Sequence, residues 1–481
     1  MIHAMKKIKH LSIILLIAVS FQACFEDFDD NIQNVNTLDI QNFIYKAMNI
    51  WYLYKPDVPD LANDRFATQN ELNEFLGTYS TPEDLFGGLI ASQDRFSFIV
   101  SDYRVLEAAL AGISLSNGMQ YGLVFYPGSQ TNVFGYVRYV IPNSDAAQKG
   151  VERGMIFNTI NGAQITNENF GLLRELNSYE IGLATFDGTT IEPTGQTILL
   201  NKTELTENPI HLATTFTLEG KKIGYLMYNG FTADFDTQLN NVFGTFVGEG
   251  LDELILDLRY NSGGSIRSAI DLSSMITGQF TGQVFSTEVW NPELQAIFQQ
   301  NDPESLINRF NSTIRSGAAI NSLNLNRVYV LTSSSTASAS ELVISGLDPY
   351  IQVVQVGATT TGKFQASTTF YDAPPPNFRR SQASLSHFYA IQPLIFTSAN
   401  ANGVTGFEDG IPPDVEFIEN LTHLGTLGDI QEPLLEAALN EIFGSRPKSR
   451  IQFEFREAGN SNMHLPTYNR MYVEELNKNL N

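Results

Sequence analysis

Four apolar runs of strand length, set apart by segments of helical periodicity, constrain this 481-residue chain more than any other feature. The runs are residues 223–228, 254–258, 328–332 and 351–356. A strand that is apolar without alternation needs cover on both faces. The intervening segments offer it: Leu239, Val242, Phe243 and Phe246 recur at helical spacing. Strands alternating with helices predict an α/β or mixed α+β layered core over residues 206–445. At roughly 100–200 residues per domain, the chain has room for about three units.

Two further textures precede that core. Over residues 38–111 the pattern is helical: Ile40, Phe43, Ile44, Met48 and Trp51 share one face. Thr81 is placed to cap a second helix with Pro82 at its first position. This region is expected to be an N-terminal helical domain. Residues 112–205 are short β-rich runs with glycines between them, and Asn161-Gly162 is a hairpin signal because a type I′ turn needs positive φ at both positions. Within them, VIPNSDAAQKGVERGMIFNTINGAQI (140–165) resembles the second half of a PDZ domain, with Met155 where an Asp is usual. That resemblance implies an inserted PDZ-like β domain. Gly122, Leu123, Val124 and Phe125 resemble its loop-and-strand, which holds a peptide C-terminus through backbone N–H groups while the peptide adds as a strand; a plain sandwich strand is the alternative. Residues 446–481 are polar and expected to form a C-terminal tail.

The first residues read as a targeting segment. Lys6, Lys7 and Lys9 precede a short apolar stretch, 11–19, too short to span a bilayer as a helix. Ser20-Phe21-Gln22-Ala23-Cys24 follows, and Cys24 is the only cysteine. Either residues 1–23 are an ordinary signal peptide with an incidental cysteine, or the segment is what it resembles, a lipobox. The resemblance implies lipidation of Cys24, an acidic tether over 24–37, and an exported bacterial lipoprotein on the periplasmic side of the outer membrane or at the cell surface. It would also consume the only thiol. The formal net charge of −23 argues against a nucleic-acid partner, because an acidic surface repels phosphates.

Three short stretches carry candidate chemistry. After the strand ending at Thr332 comes SSSTASASE, then an apolar helical run. A hydroxyl at such a strand-to-helix turn lies where backbone N–H groups can stabilise developing negative charge, although small hydroxyl residues are also the commonest helix caps. After the strand ending at Val356 comes GATTTGK. Lys363 is either a solvated charge or, if buried beside a serine, a neutral amine able to take its proton. Finally LILDLRYNSGG ends a buried strand in paired glycines, whose N–H groups can converge as an oxyanion hole requires. The plainer reading is a strand-end turn with an Asp257–Arg259 ion pair.

Together, in this order, DLRYNSGG, STASASE and TGK resemble the C-terminal processing peptidases, or tail-specific proteases. Asp94-Arg95-Phe96-Ser97, Gly410-Ile411-Pro412-Pro413-Asp414 and the 427–435 segment extend the likeness to about residue 443. The resemblance implies a protease core of the ClpP/crotonase-like type and a serine endopeptidase acting on exported polypeptides, at C-terminal segments. It implies Ser338 as nucleophile and Lys363 as general base, with Ala339, Gly264 and Gly263 forming the oxyanion hole. Asp257, Arg259, Asn261, Glu341 and Ser367 would shape the site. Ser367 stands where many members have a glutamine that orients the amine, and this departure keeps open a catalytically silent peptide-binding scaffold on the same fold. No cofactor and no metal are expected: His211, His387, His423 and His464 sit in no triad motif, and no Cys/His/carboxylate cluster has ligand spacing.

Overall fold

The computed structural model describes residues 36–444, 455–476, 478 and 480. Cys24 and the leader lie outside the described residues. A six-stranded sheet orders the strands Ile210–Leu218, Lys221–Tyr228, Glu253–Asp257, Arg327–Thr332, Gln352–Gly357 and Val415–Glu416. Its first pair is antiparallel and the rest are parallel. The sequence runs therefore lie side by side. Successive side chains leave opposite faces of a strand, and here both faces are buried. Leu226, Tyr228, Leu254, Leu256, Val328 and Val330 enter one core, whereas Ile223, Tyr225, Met227, Ile255, Tyr329 and Leu331 enter another. Helix Pro433–Phe443 covers the second face. The fold is mixed α/β.

The N-terminal helices form as their patterns predict. Asn36 caps Thr37–Trp51 through the N–H of Leu38, and Thr81 caps Pro82–Gly88 through the N–H of Asp84. They do not keep a core to themselves. Phe43, Met48, Trp51, Leu76 and Leu85 join the same cluster as Leu256, Ile270 and Val343. Trp51 packs its ring on Trp290 and Phe370, at 5.8 Å each. The apolar face legible in the sequence thus packs on Trp290, Phe298, Phe370 and Phe378, in a core continuous with that of the sheet.

A second six-stranded sheet orders Gly263–Ser265, Arg470–Tyr472, Gln365–Ser367, Leu394–Asn400, Val284–Trp290 and Ile307–Arg309. The β-rich unit has its own core around Leu123, Val137, Phe157 and Ile181. Asn161 and Gly162 adopt φ of 50° and 78°, the hairpin geometry the dipeptide predicts. Residues after 455, expected as a polar tail, instead supply strands to both neighbouring sheets: Glu457–Asn460 beside Met119–Phe125, and Arg470–Tyr472 inside the second sheet. Backbone pairing needs no apolar period, so these polar residues gave no strand signal.

Candidate active site

Ser338 sits between strand Arg327–Thr332 and helix Ala339–Leu347 with φ 67° and ψ −113°. A non-glycine residue held there costs about 1–3 kcal/mol, so its surroundings must over-determine it. They do. The Ala337 N–H donates to the Asn261 carbonyl at 3.1 Å, as does the Ser340 hydroxyl, and the Thr336 hydroxyl donates to the Leu258 carbonyl at 2.8 Å. The Ser338 N–H donates to Glu341 Oε2 at 2.6 Å. Ser338 is fully buried, yet its own hydroxyl has no hydrogen-bond partner. Ser340, two residues on, spends its hydroxyl on structure.

Glu341 links this turn to the lysine loop. Its Oε2 also accepts from the Lys363 N–H at 2.9 Å, and its Oε1 accepts from the Gly362 N–H at 2.7 Å and the Thr360 hydroxyl at 2.5 Å. Burial raises the carboxyl above its ordinary pKa, and these donors work against that rise. One buried carboxylate therefore fixes Ser338 and Lys363 relative to each other.

Lys363 is fully buried. Its amine donates to the Gln365 carbonyl and lies 5.8 Å from the centre of the Phe96 ring. Burial holds its pKa well below the ordinary lysine range, and the Arg470 guanidinium pushes the same way, against Asp94 and Glu341. Asp94 is itself held by the N–H groups of Phe96 and Ser97 and by the Tyr52 hydroxyl. The Asp-Arg-Phe-Ser stretch thus packs directly on the lysine. Phe96 and Arg470 are site neighbours the sequence did not nominate, and Arg470 carries no local motif by which it could have been found.

The paired glycines lie against the serine turn. A Cβ on Gly263 would fall 2.7 Å from Ser338 Cβ, and one on Gly264 would fall 2.3 Å from the Phe231 carbonyl oxygen. With φ of 113° and 138°, only glycine fits either place. Their N–H groups are not equivalent. Gly263 already donates to Asn261 Oδ1 at 2.9 Å, while Asn261 Nδ2 anchors to the Tyr228 carbonyl. Ser265 donates to Phe231 O, so the Gly264 N–H, one residue earlier, points to the other edge of the strand.

Asp257 and Arg259 do form the ion pair, and it belongs to a wider buried network. Arg259 reaches Asp257 at 2.7 Å, Glu432 at 2.8 Å and Glu419 at 2.9 Å. Arg153 of the β-rich unit joins at Glu419, 2.7 Å. The hydrogen bonds and ion pairs of these side chains run among themselves and do not reach Ser338 or Lys363; the network meets the serine turn through the Arg259 carbonyl, which accepts from the Ser333 hydroxyl. Ser367 does not meet the lysine amine either: its hydroxyl donates to the Met471 carbonyl at 3.2 Å. Gly122, Leu123, Val124 and Phe125 all lie inside one strand, not in a loop leading to it. Gly122 is small because the Tyr136 ring would sit 2.4 Å from a Cβ there. His387 pairs with Asp372 at 3.0 Å and its Nδ1 accepts from the Tyr389 N–H, so both ring nitrogens are engaged away from any serine turn.

A mixed α/β core that presents a buried, unpartnered serine hydroxyl against a glycine strand, with a desolvated lysine tied to the same turn through Glu341, defines a serine-centred site of the hydrolase type. Comparison with known proteins agrees. The family described as Peptidase family S41 matches residues 222–417, and the Peptidase S41 N-terminal domain matches residues 39–98. The chain belongs to peptidase family S41. It is 24% identical over 267 residues to a carboxyl-terminal-processing protease of Picosynechococcus sp., covering 54% of this chain and 57% of that one. A protease of the same description from Synechocystis sp. is 22% identical over 326 residues, covering 66% of each chain. The matched region is thus less than two thirds of either curated relative. A crystal structure of a Bacteroides fragilis protein assigned to the S41 proteases aligns with TM-score 0.64 and 27% identity, over 83% of this chain and 97% of that one.

Proposed function

We propose that this chain is a serine endopeptidase in which Ser338 is the nucleophile and Lys363 the general base. The observation that carries the reading is the pairing, through Glu341, of a buried hydroxyl that lacks a partner with an amine that burial disfavours as a cation. Neutral Lys363 takes the Ser338 proton as the oxygen attacks the scissile carbonyl. The oxyanion forms against the N–H groups of Gly264 and Ala339; Gly263, already committed to Asn261, serves by letting the strand approach. As the tetrahedral adduct collapses, the lysine ammonium returns its proton to the leaving amine, giving an acyl-serine. Water attacks that ester by the same proton route, releasing the acid and free serine.

The β-rich unit acts as a PDZ-like module, and the edge of strand Met119–Phe125 takes an extended peptide by strand addition. Arg138 on the neighbouring strand donates to the Ser335 hydroxyl at 3.1 Å, which ties peptide capture to the serine turn. Substrates are polypeptides of the cell envelope, selected at their C-terminal segments, and Cys24 carries a lipid that anchors the protein to a membrane. A fluorophosphonate probe tests the core of this reading. It should label the wild type and Ser340→Ala but not Ser338→Ala, and it should label Lys363→Ala far more slowly. Labelling that survives Ser338→Ala would overturn the assignment, and a folded wild type that never labels or cleaves would favour the silent scaffold.

A further inference from the structure

The edge to which the proposed function assigns a peptide, and the edge of the glycine strand that lies against Ser338, are both already filled by the chain itself. On the β-rich unit, Glu457–Asn460 runs antiparallel to Met119–Phe125, with Glu457 opposite Val124, Gly459 opposite Leu123 and Asn460 opposite Gly122. The Phe125 N–H donates to the Arg456 carbonyl at 3.0 Å and the Ser461 N–H to the Tyr121 carbonyl at 3.0 Å. This is strand addition, the manner in which an extended peptide docks on an open sheet edge.

Further along, Arg470–Tyr472 lies between the glycine strand and the lysine strand, parallel to each. Gly263 faces Arg470 and Gly264 faces Met471. The segment therefore covers the edge toward which the Gly264 N–H points and, in this parallel pairing, takes up that N–H. On its other side, Val473 N–H donates to the Ser367 carbonyl at 3.0 Å, and the Ser367 and Thr368 hydroxyls donate to the carbonyls of Met471 and Val473. An extended substrate with its scissile carbonyl at Ser338 and Gly264 would need that same lane.

We propose that residues 455–473 are a built-in peptide occupant of the substrate path, filling the PDZ-like edge and the catalytic cleft together and closing the site until a polypeptide substrate displaces them. This rests on the endopeptidase reading and adds its regulation. Three observations support it. With the segment in place, Ser338 and Lys363 have no exposed surface. The segment pairs along both edges through backbone bonds that a substrate strand can also make, while Met471 fills the core between them with a side chain that an apolar substrate residue would have to replace. Finally, a cavity between Asn462, Leu465 and Tyr468 of the segment and Gly263, Gly264 and Asn229 of the core borders the glycine strand. Both polar atoms of the Asn229 amide are buried there with no protein partner, which suits a site meant for a peptide backbone that the segment only partly imitates. Its grip on the serine turn is one exposed-side contact: Glu457 accepts from the Ser334 hydroxyl at 3.2 Å and lies 3.7 Å from Arg138.

The test uses the full chain with a specific protease site placed within residues 445–454. Cutting there leaves every described residue present but makes the segment exchangeable, and washing then removes it. Fluorophosphonate labelling of Ser338 should quicken by about tenfold on removal, the gain expected when an open fraction near ~10% becomes the whole population. A synthetic peptide of residues 455–476 should slow it again, and should restore exchange protection to the Phe125 amide. Equal labelling with and without the segment, in protein that circular dichroism shows folded, overturns the proposal. Labelling lost on removal and regained with peptide also overturns it, by making the strand part of the working site. If no form labels while the peptide still protects Phe125, the occupancy stands and the Ser338 reading falls. Should the cut protein unfold, Glu457→Lys in the intact chain serves instead. It should speed labelling and loosen the Phe125 amide, and no change in either overturns the proposal.

Discussion

Two buried polar clusters lie on neighbouring strand ends of this molecule, and they are built on opposite principles. Around Arg259, the side chains pair among themselves: Asp257, Glu419 and Glu432 surround the guanidinium, the Tyr225 hydroxyl donates to Asp257 at 2.7 Å, and Tyr260 donates to Glu419 at 2.8 Å. Burial pushes the Glu419 carboxyl up, yet Arg153 and Arg259 hold it down at about 2. None of these side chains leaves a buried polar atom unpartnered. Around Ser338 the side chains of Asn261, Ser340 and Glu341 are also satisfied, but the hydroxyl they hold is left spare on strained backbone, and Glu341 ties that turn to a loop whose amine is kept from its charge. Native structures seldom leave buried polar groups unpaired. In the proposed reading the satisfied charges around Arg259 hold the architecture, and the spare hydroxyl of Ser338 is the group left for chemistry.

That contrast breaks first at the serine. Ser338→Ala is expected to lower the rate of proteolysis by roughly 10⁶-fold while leaving the thermal midpoint nearly unchanged, since a hydroxyl with no bond is removed. Lys363→Arg should be equally inactive, because a guanidinium stays protonated at any working pH. In the wild type the rate should rise with pH through the depressed lysine pKa, because deprotonation activates the nucleophile. A profile that falls with rising pH in that range would contradict a lysine base.

The network should fail the other way. Arg259→Met strands three buried carboxylates and is expected to cost about 3–5 kcal/mol of stability in urea titrations, while the specific activity of what remains folded stays close to normal. Acid should act on the same cluster. With its folded pKa depressed, Glu419 contributes stability that is present above its ordinary range and drains away as pH falls toward about 2.

Glu341→Gln falls between the two classes. The glutamine amide replaces an acceptor with a donor facing two of the four donor groups, so stability should drop by about 1–3 kcal/mol. The serine and lysine would also lose their shared tie, and activity should fall by about 10²-fold, the scale of a misplacement near 1 Å. The smallest effect is at Lys363→Met. A depressed folded pKa means the unfolded chain binds more protons between that pKa and the ordinary lysine value, so wild-type stability rises with pH across that window. Below it the cost of the buried lysine is largest. The substitution should therefore raise the melting temperature most at low and neutral pH, with the difference shrinking toward the ordinary lysine pKa of about 10.4.

Much of the site was legible because its requirements are local. Gly263 and Gly264 are dictated by positive φ and by close approach to Ser338 and Phe231; Thr336, Ser338 and Ser340 all fit a strand-to-helix turn. The sequence could rank those hydroxyls only by resemblance, since which one is left without a partner depends on Asn261, a residue far back along the chain. The partner of Ser367 was out of reach of sequence for the same kind of reason: the acceptor of its hydroxyl, the Met471 carbonyl, lies beyond any local motif.

What the sequence by itself determined is the layered α/β core, because unbroken apolar runs at 223–228, 254–258, 328–332 and 351–356 have no other way to bury both faces. It also determined the helices, through the face of Ile40 to Trp51 and the cap at Thr81. Tertiary structure alone decided that the N-terminal face shares the core of the sheet, that Glu341 joins two loops, and that polar residues 457–460 and 470–472 become strands. The reason is physical: side-chain periodicity records which face is buried, whereas a backbone edge accepts whatever strand reaches it, and reach is a property of the folded chain.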